Sequence, residues 1–272
     1  MECMGRPIGV CSWSLRLEIN EVTEALNKIG IDYLHLGLRW ILEGSCQDSI
    51  SLIKKQPWKI SATMIDFPQE DYSTLDSIKL TGGIVPDESW DKNRQLFFEA
   101  VKLTKALGVN YLSMHAGFID ETHKEYAEKF HNRIRILADA AASENIILLL
   151  ETGQETAAHL RKFLEEMNHP AIGVNFDPAN MILYDMGDPI EAVNILSPWI
   201  KHIHIKDAVR TVNPGTWGQE VVWGHGQAQS DKFLHTLEKI NYQGVLAIER
   251  EAGDNRLEEI QLAAQRLSGF KG

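Results

Sequence analysis

The chain has 272 residues, 44% of them hydrophobic, and a formal net charge of −11 at neutral pH. That is enough apolar material for one large core. The acidic balance argues against a nucleic-acid partner, which calls for a basic face, and no stretch approaches the ~20 apolar residues of a membrane span. Cys3, Cys11 and Cys46 are odd in number and form no C-x-x-C, so neither a disulfide framework nor a thiolate zinc site is indicated. The N-terminal MECMGRPIGVCSWSL is a poor match to a secretion signal, and a cytoplasmic protein is expected.

In chain order, apolar runs alternate with stretches of helical periodicity. The first strand is predicted over residues 8–13 (IGVCSW). A helix over 21–29 follows, with Val22, Ala25, Leu26 and Ile29 on one face and Gly30 as its stop. Strands two and three are predicted over 33–38 and 59–65, and a long connection containing TGGIVPDESWD leads to a helix over 91–107. Strand four (111–115) ends in His115. A helix over 126–142, carrying Phe130, Ile134, Leu137, Ala138 and Ala141, precedes strand five (146–151). A helix over 157–167 stops at Asn168-His169-Pro170 before strand six (172–177), and strand seven covers 200–206. A second long connection, with NPGTWGQEVVWGHGQ, leads to a helix over 231–240 and strand eight (244–249). Strand–helix alternation repeated eight times in about 250 residues predicts one (β/α)8 barrel domain over 1–272. A doubly wound open sheet is the structural rival. Its dinucleotide-binding form is weak, because CSWSLR stands where a G-x-G-x-x-G would follow strand one.

Four of the last strands end in a metal-friendly side chain: Glu151 in IILLLETG, Asp177 in IGVNFDP, His204 in IKHIHIKD and Glu249 in GVLAIERE. Taken singly, a strand-ending Glu is a solvated cap, an Asp before Pro a turn former, and a His on an apolar strand a core residue. Taken jointly, four successive strands deliver one polar group each to the same mouth, because alternate strand residues share a face. Three carboxylates and one imidazole suit a single divalent cation: Mn²⁺, Mg²⁺, Co²⁺ or Zn²⁺. Two positions of a six-coordinate ion would remain for substrate oxygens.

The segments LLLETG, NFDPAN, HIHIKD and AIERE, with WGHGQ followed by DKFLHTLEKINYQG, resemble the xylose isomerase-like TIM barrels, or sugar phosphate isomerase/epimerase superfamily. Its members include ketose 3-epimerases, hydroxypyruvate isomerase, inosose dehydratase and endonuclease IV. The resemblance implies that Glu151, Asp177, His204 and Glu249 are the metal ligands and that Glu151 and Glu249 also form the acid/base pair. It implies proton transfer through a metal-bound enediolate of a ketose, polyol ketone or small hydroxy-ketone. It implies substrate contact for Arg210, six residues after His204. Lys206, in the H-x-K-D pattern, would hold a substrate oxygen or pair with Glu249, while Asp207 points away and orients a neighbour. The chain departs from the epimerases at two places: Asn180 stands where they carry a histidine, and Ala157 where they carry a glutamate, with Glu155 nearby but out of register. Asn180 is retained as a substrate-contact candidate.

His115, which ends a strand, is expected to meet substrate. His35 is read as structural and His202 as buried behind His204. Trp13, Trp40, Trp217 and Trp223 follow strands and can stack on a sugar face, Trp13 first among them. Gly224 and Gly226 form a turn that cradles phosphate in some barrels, but with no nearby cation a neutral sugar or small acid is favoured. The leading function is a metal-dependent isomerase or epimerase on a small-molecule sugar or polyol, with a homo-oligomer possible. An inosose dehydratase-like lyase is the alternative. A non-catalytic sugar-binding barrel is disfavoured by the presence of both Glu151 and Glu249. An endonuclease IV-type nuclease is disfavoured by the missing histidine after Asp177 and by the charge.

Overall fold

The computed structural model describes residues 1–44, 46–120 and 122–271. Eight parallel strands run in chain order: β1 Arg6–Cys11, β2 Tyr33–Gly37, β3 Lys59–Met64, β4 Tyr111–Met114, β5 Ile147–Glu151, β6 Ile172–Phe176, β7 Ile200–Ile205 and β8 Leu246–Ile248. Each pairs with its neighbours in sequence, and β8 pairs back onto β1, so the sheet closes into a barrel. Every strand expected from the sequence is present, and helices fill the connections. The (β/α)8 expectation holds.

The strands form where the sequence offers apolar runs, because each is covered on both faces. In β5, Leu148, Leu149 and Leu150 are all buried. Helices Lys124–Ser143 and Ala157–Met167 pack outside, where Phe130 and Phe163 meet at 5.2 Å and Ile134, Leu137 and Ala138 are fully buried. Their ends follow local chemistry. The Thr156 hydroxyl accepts from the His159 N–H at one end of its helix, and Asn168 adopts the left-handed conformation (φ 43°) at the other. The interior of the barrel is polar by contrast. His35, Ser113, Asn175, His202 and His204 are all buried and hydrogen-bonded to one another or to neighbouring backbone, as buried polar groups require.

Two differences from the sequence reading concern the mouth. All strands but β5 stop one or two residues earlier than expected, so Trp13 lies in a short helix, Ser12–Leu15, and His115 and Glu249 lie just past the last paired residue. The second long connection has its own structure: Asp207–Val209 pairs antiparallel with Gln219–Val221, with Glu220 opposite Ala208. No described helix is long and apolar enough to cross a membrane.

Candidate metal centre and active-site cavity

The four residues singled out by sequence converge at the C-terminal mouth. Glu151 is the last residue of β5, Asp177 follows β6, His204 lies in β7 and Glu249 follows β8. One ligand atom from each lies within 4.8 Å of the others. His204 Nδ1 is 3.2 Å from Glu249 Oε2, 3.4 Å from Glu151 Oε1 and 3.6 Å from Asp177 Oδ2.

Each carboxylate is held in place by further partners around the centre. Asp177 is both turn former and candidate ligand: its Oδ1 accepts from the N–H groups of Ala179 (2.7 Å) and Asn180 (3.0 Å), capping helix Pro178–Leu183, while Oδ2 faces His204. Glu151 accepts from Asn180 Nδ2 (3.0 Å, at Oε1) and Asn175 Nδ2 (3.2 Å, at Oε2). Glu249 Oε1 accepts from Trp13 Nε1 at 2.6 Å, and Lys206 Nζ lies 3.0 Å from Oε2.

Asp177 Oδ2 and His204 Nδ1 are buried without a hydrogen-bond partner, and Glu249 Oε2 has only its ion pair with Lys206. Under-satisfied buried polar atoms are costly, and three of them facing one point suit a shared partner. A divalent cation fits, since ligand atoms at ~2.1 Å around an octahedral ion stand ~3 Å apart. The electrostatics agree. Burial alone would push the His204 imidazole down, but Cys11 and the carboxylates of Glu249 and Glu151 hold it well above its ordinary range. Burial also pushes Asp177 up, to about 6, against the opposing pull of Lys206. Burial acts the same way on Glu249, yet Lys206 and His204 bring it well below the usual carboxylate range. A second buried group, Cys11, His35 and His204, has similar spacing. There His35 Nδ1 and His204 Nε2 are already directly bonded at 2.9 Å, and Cys11 Sγ stands off at 4.0 Å from His35.

A cavity of about 1020 Å³ opens above the centre. Of the expected substrate contacts, Trp13, His115, Asn180 and Lys206 line it. His115 Nε2 is 3.7 Å from Glu151 Oε1, and Lys206 Nζ donates to Glu251 Oε2 at 2.6 Å. Trp40 and Trp217 also line the cavity, whereas Trp223 is buried against Phe233. Arg210 is not among the lining residues: its guanidinium is held by Asp185 and the Gly187 carbonyl. His35 is not merely packed but bonds His204 directly, and His202 sits behind it, with its Nδ1 2.9 Å from Asn175 Oδ1. Ala157 is the first buried residue of its helix.

The glycine turn after β7 is occupied from within. Asp207 Oδ2 accepts from the N–H groups of Gly224 (3.0 Å) and Gly226 (2.9 Å), and its Oδ1 from those of Ala208 and Ala228 (both 2.9 Å). A Cβ on residue 226 would stand 2.3 Å from Asp207 Oδ1, so glycine is required there. Asp207 thus orients a neighbour, as expected, and takes the donors that would cradle a phosphate.

Sequence reasoning missed Asn175, Glu251, Tyr72 and Tyr184. Asn175 and Glu251 each lie two residues from a candidate ligand, at Asp177 and Glu249, and period-two alternation was available as a signal. Tyr72 and Tyr184 come from connections with no strand signal.

The profile of a family described as xylose isomerase-like TIM barrel matches residues 21–269. Over 97 residues the chain is 32% identical to 3-dehydroshikimate dehydratase of Bacillus anthracis, a match covering 34% of this chain and 32% of that enzyme's length. A xylose isomerase domain protein from Planctomyces limnophilus superposes with a TM-score of 0.88 at 29% identity, over 97% of this chain and 96% of the other. The structure of an L-ribulose 3-epimerase matches with a TM-score of 0.74 at 15% identity, over 96% and 92% of the two chains, a likeness of fold.

Proposed function

Because the chain belongs to the xylose isomerase-like TIM barrel family, we propose that it is a divalent-metal-dependent isomerase or epimerase of a ketose, polyol ketone or small hydroxy-ketone. Glu151, Asp177, His204 and Glu249 would hold the ion, which supplies Lewis-acid stabilisation of negative charge on a substrate oxygen when bound. The observation that carries this reading is the convergence of Glu151, Asp177, His204 and Glu249 beneath the cavity, with Asp177 Oδ2 and His204 Nδ1 buried and unpartnered.

The chain's own residues supply the rest. Glu151 and Glu249 are carboxylates set below their ordinary range; burial opposes this, and it is overcome by His115 and His204 at Glu151 and by Lys206 and His204 at Glu249. They are ionised at neutral pH, the form that takes a proton from the carbon beside a carbonyl, and the cations that hold them ionised also make them weaker bases. Asn180 and Asn175 orient Glu151, while Trp13 and Lys206 orient Glu249. Lys206 has three N–H bonds and two carboxylate oxygens at hydrogen-bond distance, on Glu251 and Glu249, with Asp177 Oδ2 farther off at 3.9 Å, leaving a donor for a substrate hydroxyl or carbonyl. Trp13, Tyr72 and Trp217 give the cavity aromatic walls that cover a sugar's C–H face and exclude water. The occupied glycine turn supports a substrate without phosphate.

Dehydration is the second reading. The match to a dehydratase favours it, as does Lys206, a hydrogen-bond donor paired to Glu251 inside the cavity and placed to stabilise charge on a departing hydroxyl. The test is incubation of the Mn²⁺-loaded protein in deuterium oxide with a panel of ketoses, inososes and 3-dehydroshikimate. Carbon-bound deuterium without loss of water identifies an isomerase or epimerase. Loss of water identifies the lyase, and no reaction with any carbonyl substrate contradicts both.

A further inference from the structure

We infer that His35 is a positioning residue for the metal centre: its Nδ1 accepts the Nε2–H of His204 and so fixes the tautomer that turns the His204 Nδ1 lone pair toward Glu151, Asp177 and Glu249. The inference rests on the metal reading above. It follows from a count of donors and acceptors along one buried chain. His204 Nε2 is 2.9 Å from His35 Nδ1, His35 Nε2 is 3.0 Å from Ser113 Oγ, and Ser113 Oγ is 3.1 Å from the Thr63 carbonyl and 2.8 Å from Met64 Sδ. Both of those end groups only accept, so the Ser113 hydroxyl donates outward and takes the proton of His35 Nε2 on its lone pair. A neutral His35 with hydrogen on Nε2 has a bare Nδ1. The bare Nδ1 must face a donor, so His204 carries its hydrogen on Nε2 and leaves Nδ1 free for a cation.

One neighbour competes with this order. Asn175 Nδ2 lies 3.1 Å from His204 Nε2, gives one hydrogen to Glu151 Oε2 and has its Oδ1 engaged by His202, so its second hydrogen could be given only to a bare His204 Nε2. An amide NH₂ cannot accept the His204 proton, so an Nε2–H on His204 has His35 Nδ1 as its acceptor, and the tautomer measured below separates the two orders. Cys11 Sγ is 4.0 Å from His35 Nδ1 and is a weak acceptor at best. His35 is fully buried, and the register of β2 against β3 shifts between Leu34 and His35. Such irregularities re-aim a side chain. The chain of bonds therefore runs from the barrel mouth down to the backbone of β3, and the barrel itself sets the protonation of the metal-facing ring.

The experiment is two-bond ¹H–¹⁵N spectroscopy of histidine-labelled protein loaded with Zn²⁺, with the rings assigned through variants. His204 and His35 should both appear as Nε2–H tautomers, with His204 Nδ1 shifted as a metal-bound nitrogen. A hydrogen on Nδ1 of either ring overturns the inference. In parallel, the Kd for Mn²⁺ is measured by titration calorimetry. His35→Leu should weaken binding by roughly 10–100-fold, the range for loss of a ligand's supporting hydrogen bond. His35→Asn keeps an acceptor near the place of Nδ1 and should recover most of that loss. Equal weakening by both variants overturns a hydrogen-bonding role. The spectrum of the native protein decides the matter should His35→Leu fail to fold. A native protein that takes up no metal refutes the metal reading itself, whereas uptake with the opposite tautomer refutes the role of His35 alone.

Discussion

Replacing Asp207 with asparagine should destabilise the protein strongly, although the change is nearly isosteric. The Asp207 side chain is 1% exposed and accepts four backbone N–H groups, two on each oxygen. An asparagine keeps one oxygen and turns an NH₂ on the other pair, so two bonds to a charged acceptor are lost in either amide orientation. At ~1.5–3 kcal/mol for each such bond, the loss is ~3–6 kcal/mol. For a chain of this size ~2–4 °C of melting temperature corresponds to each kcal/mol, so the midpoint should fall by ~8–16 °C, measured from a central loss of ~4 kcal/mol. Calorimetry gives the midpoint, and amide exchange at Gly224, Gly226 and Ala228 locates the effect. A fall under ~2 °C, corresponding to less than ~1 kcal/mol, or unchanged exchange at Gly224 and Gly226, would refute the reasoning.

Trp13→Phe keeps the aromatic wall but leaves Glu249 Oε1 without its donor; turnover should fall about 10–100-fold, the equivalent of ~1.5–3 kcal/mol, with bound metal unchanged by elemental analysis. Arg210→Ala removes a side chain held outside the cavity lining by Asp185 and Gly187, so the Michaelis constant should stay put; a large rise would show that Arg210 swings in to bind substrate. Glu155 is 6% exposed with no salt bridge or hydrogen bond to offset its burial among the described residues, and burial pushes its carboxyl up to about 8. The folded state keeps that proton to about pH 8, while the unfolded state loses it near its ordinary value of 4.5. The native state thus binds the extra proton between these values, and stability should decline by up to ~1.4 kcal/mol per pH unit across the window. Glu155→Gln should flatten that slope in urea titrations, and an unchanged slope would show that Glu155 titrates normally.

The barrel was legible in the sequence because strands covered on both faces must be apolar runs, and a charge at the end of such a run stands out. Glu151, Asp177, His204 and Glu249 were found that way, and the structure brings them together. The places where strands end were not legible. Trp13 and Glu249 lie past their last paired residues because a ladder stops where its neighbours stop, which no local pattern records. The Asp207–Val209 and Gln219–Val221 pair was hidden for a related reason: each strand has three residues, too few for alternation to show. His35 looked structural because its neighbours are apolar, and its partners His204 and Ser113 are 169 and 78 residues away in sequence. Arg210 illustrates the converse. Its spacing from His204 suggested the cavity, but Asp185, brought near by the fold, holds its guanidinium instead.

The central claim is that Glu151, Asp177, His204 and Glu249 together hold one divalent cation. Elemental analysis of the protein after exposure to Mn²⁺ and removal of the excess tests it most directly, read alongside His204→Ala. The account predicts one equivalent of metal per native chain and none in the variant, with the variant still folded by circular dichroism. A native chain that retains no metal, or a His204→Ala chain that retains a full equivalent, would contradict it.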